Sequence, residues 1–200
     1  MKAGKNDFDI SSCDAAFDAV LYGRELPSDS LFQLSACFMA GYRPERLLLL
    51  LNHTDVGVVS DGAFVLSELG AGARPFLEQA ERLLSHPDSQ VRRYAIDTIT
   101  SCASPEDGSC VARMLELLCD PSELVQNGVI NFLVRKDFAT LTAAEPHLQN
   151  SKNSNSHKMG LKMLSLSAKI PDDKLSQLLG STDAVLVGYG KAIKKRQSKR

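Results

Sequence analysis

The sequence predicts an all-α fold of stacked helical hairpins, and three observations carry that prediction. Asp55, Asp88 and Pro121 stand 33 residues apart, each at the head of an apolar run. Apolar or small residues recur three, seven, eight and eleven positions later: Val58, Gly62, Ala63 and Leu66; Val91, Ala95, Ile96 and Ile99; Leu124, Gly128, Val129 and Phe132. Those offsets fall on one stripe of an α-helix, the face turned toward a core. No stretch alternates apolar and polar residues long enough to make a strand.

The elements follow in chain order. Asp29 heads a looser helix with Phe32, Ala36, Cys37 and Ala40 on its stripe, 26 residues before Asp55. Pro44 opens the helix ending at Leu51, a position where the missing proline N–H has no intrahelical partner to lose. Pro75 to Ser85 and Pro105 to Cys119 are the first helices of the next two hairpins, followed by Thr140 to Leu148 and Asp172 to Leu179. The matching second helices begin near Asn153 and Asp183. Asn153 places Gly160, Leu161 and Leu164 on the stripe; Asp183 places Leu186 and Gly190 there, and Lys191 and Lys194 interrupt it. Asp or Asn before an apolar run caps the first free N–H groups. A small residue at offset seven lets a neighbouring helix approach closely. Polar "NSKNSNSHK" (150–158) reads as a loosened connector, and "KAIKKRQSKR" (191–200), with six basic side chains, as a solvated tail.

With 200 residues, the chain can bury about 70% of its unfolded surface as a single domain, 1–200, with no disulfide or metal staple. The longest apolar run, Leu47 to Leu51, is too short to span a bilayer, and "MKAGKNDFDI" lacks a signal peptide's apolar core. A cytoplasmic location is expected. Five cysteines without a close CxxC pair suit buried free thiols better than a disulfide framework or a zinc site.

Chemical motifs are sparse. There is no GxSxG elbow, and no His-plus-acid pair can be assigned to a cysteine. "GYGK" (188–191) lacks the flanking residues of a phosphate loop, and close helix packing explains its glycines. His53 and His86 occupy equivalent turns and, with Asp55 and Asp88, raise the question of a metal or phosphate site. Turn filling and helix capping account for them, because a metal wants three or four converging ligands. No catalytic residue, cofactor or metal is predicted.

A hairpin of this length whose turn reads "HPD" or "DPS", followed in the second unit by "VRRYAIDTI", resembles the HEAT repeat. The match is best over residues 44–135 and rests on Asp55, Asp88 and Asp120 at the turns, Val58 and Val91, Arg92 or Arg93, and Ala63 and Ala95. Val59-Ser60 and Gln126-Asn127 replace the usual arginine, so an unbroken arginine ladder is absent. The resemblance implies a right-handed α-α superhelix, a HEAT-like solenoid, of about five to six hairpins whose second helices line a concave face. On that face it would place Asp61, Glu68, Arg92, Arg93, Asp97, Gln126, Asn127 and Asn131, with Lys158 and Lys162 further on. Arg93 and Asp97, four apart on one helix, are also placed to pair with each other.

Charge is unevenly spread. Residues 53–150 hold seven Lys or Arg against fourteen Asp or Glu, whereas residues 152–200 hold eleven against three. In a solenoid this becomes an acidic middle and a basic end. The expectation is a non-catalytic protein-binding chain with Asp61, Glu68, Arg92, Arg93, Asp97, Asn127 and Asn131 at the interface. Its partner would be another protein with a basic surface, without membrane or nucleic acid. More sharply, the chain is similar to HEAT-like bacterial immunity proteins, which implies a cognate toxin domain as partner. The alternative is a HEAT-like nucleic-acid-processing enzyme such as an alkylpurine DNA glycosylase, a class expected to show a basic groove lined with aromatics. A phycobilin lyase and a scaffold subunit complete the readings.

Overall fold

A computed structural model describes residues 10–22 and 29–199. Among these the chain is all-α, with twelve α-helices joined by turns and short 3₁₀ segments. We number them α1 (Ile10–Leu21), α2 (Ser30–Met39), α3 (Pro44–Leu51), α4 (Val56–Glu68), α5 (Leu77–Leu83), α6 (Ser89–Cys102), α7 (Gly108–Leu115), α8 (Glu123–Arg135), α9 (Phe138–Ala143), α10 (Ser154–Ser165), α11 (Asp172–Leu179) and α12 (Ala184–Gln197). Buried apolar side chains run as one connected core from Cys13 to Ile193.

Neighbouring helices pack as pairs, α3 with α4, α5 with α6 and α11 with α12, and the second helices α4, α6 and α8 lie side by side. The Asp caps explain where second helices start. The carboxylate of Asp55 accepts from the Gly57 and Val58 N–H groups, Asp88 from Gln90 and Val91, and Asp183 from Val185 and Leu186. In the third unit the cap is Ser122, one residue beyond the predicted Pro121 head. The stripe shifts with it: Leu124 is 43% exposed, and Val125 is buried in its place. Apart from Leu124, all members of the three stripes, Gly62, Ala95 and Gly128 among them, are buried as predicted.

Two terminal readings are corrected. Asp29 makes no side-chain cap, and the buried face of α2 is Ser30, Leu34, Ser35, Cys37 and Phe38; Phe32, Ala36 and Ala40 are exposed. The 33-residue register therefore begins at α3–α4 and does not reach back to α2. Cys13 and Cys37, expected as free thiols, form a disulfide that ties α1 to α2, and Cys119 is exposed rather than buried.

At the other end, order along the chain stops being order in space. It is α12, not α10, that packs closely against α8, and α10 packs mainly on α12. The "tail" is thus the second half of a helix with Ala192 and Ile193 fully buried. Arg196 Nη2 donates to the Leu133 and Lys136 carbonyls at 2.6 and 2.8 Å, filling acceptors that the end of α8 leaves open. Lys191 and Lys194 interrupt a single stripe because α12 touches neighbours on several sides: Gly190 meets Leu178, Gly188 meets Leu118, and Tyr189 covers Gly160. The predicted loose connector also tightens early, since α10 begins at Ser154 and buries His157 completely.

His157 sits between α10 and α12 with Nδ1 3.3 Å from the Tyr189 hydroxyl and no hydrogen-bond partner on Nε2; the Glu116 carboxylate lies 3.9 Å away. Burial pushes its pKa below the ordinary 6.5, against weaker opposing pulls from Glu116 and Asp183. A depressed histidine pKa means the unfolded chain binds the proton more readily, so its contribution to stability is complete above pH 6.5 and is lost as pH falls below it. Urea midpoints at about pH 7.5 and 5.5 should differ, with the acid value lower, and His157→Gln should shrink the difference. An undiminished difference in that variant would assign the slope to other groups.

Candidate functional site

The solvent side of α4, α6 and α8 carries the predicted polar band, and the structure divides its members. Glu68 and Asn127 are exposed, and Asp61, Arg93, Asp97 and Asn131 are half-buried on this side. Arg92 is not there. Residue 92 lies four positions after the Asp88 cap, where the helix turns inward, and its side chain is buried. Nε and Nη2 hold the two oxygens of Asp120 at 2.8 Å each, and Nη1 donates to the His86 and Pro87 carbonyls at 2.8 Å. Arg92 is therefore a structural clip between two successive turns and is withdrawn as a partner contact. Gln126, four after Ser122, turns the same way and donates to the Asp120 carbonyl at 2.7 Å. Val59, the corresponding residue of the first unit, is buried. The arginine ladder has one rung.

The remaining charges differ in how free they are. Arg93 pairs with Asp97, the intrahelical bridge foreseen from their spacing, and its stem lies over Gly128. Asn131 accepts from Lys195 of α12 at 3.2 Å, so the basic neighbour of α8 is α12 and not the α10 lysines 158 and 162. No described residue pairs with Asp61 or Glu68. Asp61 is raised above the usual carboxylate range, first by partial burial and then by the negative charge of Asp55. A half-buried carboxylate with no cation of its own is a place where an incoming cation gains most.

An aromatic row that the sequence reading missed crosses the same side. Phe32 of α2 meets Phe64 of α4 edge to face at 5.3 Å between ring centres, and Phe64 meets Tyr94 of α6 at 5.5 Å. Phe32 is 59% exposed. Phe64 and Tyr94 lie nine and six residues after their caps, off the apolar stripe, and that displacement was the available signal. One exposed and two half-buried rings in a row offer apolar area and negatively polarised faces.

Reactive chemistry is thin around this face. Among the described residues, no three His, Cys, Asp or Glu side chains come together as a metal site. Burial pushes the Cys110 thiol up to about 12 and raises Cys102 and Cys119 as well, the opposite of an activated thiolate. No described helix is long and apolar enough to cross a membrane. Compared with known families and with curated proteins, the chain matches no family model and no curated sequence.

Proposed function

We propose that the chain is a non-catalytic protein-binding module whose α2–α4–α6–α8 face captures a basic segment of another protein. The observation that carries this reading is the unpaired, half-buried Asp61 beside an aromatic row, with Glu68 exposed on the same helix. Carboxylates attract and orient Lys or Arg, and the rings add apolar and cation–π contact. We read α3–α8 as a HEAT-like array, supported by the shared caps and stripes, with α12 folded back to cover its end. The sharper form is an immunity protein occluding a basic toxin domain, which is consistent with the acidic middle repeats. The nucleic-acid-processing reading is less well supported, because phosphates brought to these rings would meet Asp61 and Glu68. We place the chain in the cytoplasm, where the burial of Cys13 and Cys37 would shield their bond from cellular thiols.

The test is affinity capture from the native host with wild type and with Asp61→Lys/Glu68→Lys/Asp97→Lys. Wild type should retain a basic protein that the variant loses at least about tenfold, at equal helicity. Equal retention would remove this face, and DNA binding that survives moderate salt would favour the enzyme reading.

A further inference from the structure

We infer a second site, separate from the aromatic face, in an open cleft of about 360 Å³ between the turn after α3 and the turn after α5. It takes a phosphate group. The two repeat-turn histidines line it, and the turns fix which ring nitrogen accepts. His53 Nδ1 accepts the Asp55 N–H at 3.0 Å and His86 Nδ1 accepts the Asp88 N–H at 3.2 Å. A neutral imidazole that accepts on Nδ1 carries its proton on Nε2, so each ring keeps one N–H donor that no described residue takes up.

The rest of the lining agrees in sign. Arg82 brings a guanidinium whose only described bond is a long one, Nη2 to Asn52 Oδ1 at 3.4 Å. Ser85 adds a hydroxyl, and no carboxylate lines the cleft. Asp55 and Asp88 are engaged in capping α4 and α6. Donors and one cation lining one cleft from two turns suit an oxyanion.

Gln79 narrows the choice. Its Oε1 is buried in the same lining without a hydrogen-bond partner. Closed off where it stands, this acceptor is satisfied by a proton from the ligand once the Gln79 side chain turns into the cleft. Hydrogen phosphate and phosphate monoesters in their singly protonated form carry both charged oxygens and a P–OH, whereas sulfate and carboxylate at neutral pH carry no proton. The cleft's size, at the small end of ligand pockets, admits free phosphate or a small monoester.

The probes are inorganic phosphate, glycerol 3-phosphate and sulfate, followed by NMR of the His53 and His86 ring protons in the full chain. Phosphate should shift both rings saturably, and sulfate should bind at least about threefold more weakly. Equal or tighter binding of the ester would identify a phosphorylated small molecule as the ligand; weaker binding would identify free phosphate. His53→Asn/His86→Asn keeps an acceptor for each Asp N–H but removes both Nε2 donors, and Arg82→Gln removes the charge. Each variant should lose about tenfold or more in phosphate affinity. Because Arg82 is exposed, its variant tests the site even if the double variant unfolds. No saturable shift in wild type up to about 10 mM phosphate, or unchanged affinity in Arg82→Gln, would overturn the proposal.

Discussion

Arg92→Ala should destabilise the protein by about 3–5 kcal/mol, the largest loss expected from any single charged residue here. The reason is asymmetry. In the native chain the guanidinium and the Asp120 carboxylate are both buried and mutually satisfied by two 2.8 Å bonds, with two further bonds to turn carbonyls. Removing the arginine leaves a buried carboxylate and two carbonyls without that donor, and the desolvation already incurred is no longer offset. Lysine should not rescue it, since one ammonium cannot reproduce a planar fork that spans two turns. Its neighbour provides the control: Arg93→Ala breaks a partly exposed intrahelical pair and should cost below about 1 kcal/mol. Urea unfolding of the two variants would decide between them. Similar small losses in both would show that the turns do not depend on the clip.

Gly160→Ala should also cost stability, about 1–3 kcal/mol or more, although the same change in an exposed helix interior gains about 1 kcal/mol. A Cβ at this position would overlap the ring of Tyr189, which is fully buried. The clash separates α10 from α12. Tyr189→Leu should be destabilising alone yet relieve part of the Gly160→Ala loss, so the double-mutant cycle should show strong coupling. Gly72→Ala, where the nearest atom is 4.0 Å from the added carbon, should be nearly neutral. Additive losses at 160 and 189 would mean that the two residues do not share a contact.

How far the site was legible follows from what kind of signal each residue leaves. Glu68 and Asn127 were found because a helix stripe predicts its own complement: positions off the apolar face stand in solvent. Arg92 was misplaced by the same logic, since charge suggested solvent, and only the approach of the next turn's Asp120 makes its burial favourable. The aromatic row escaped because Phe32, Phe64 and Tyr94 belong to three helices at unequal offsets, and no periodicity within one helix brings them together.

The sequence by itself determined the helices from α2 onward, though not α1, the capping Asp55, Asp88 and Asp183, and the register of the α4 and α6 stripes, because these depend on residues within a few turns of one another. The tertiary structure alone decided that α12 docks against α8 ahead of α10 and that Cys13 meets Cys37. It also decided that Arg92 turns inward. Each of these is a long-range choice among surfaces of similar apolarity, settled by shape, such as the Tyr189 ring over Gly160, and by open acceptors, such as the α8 carbonyls that Arg196 fills. Local spacing encodes neither.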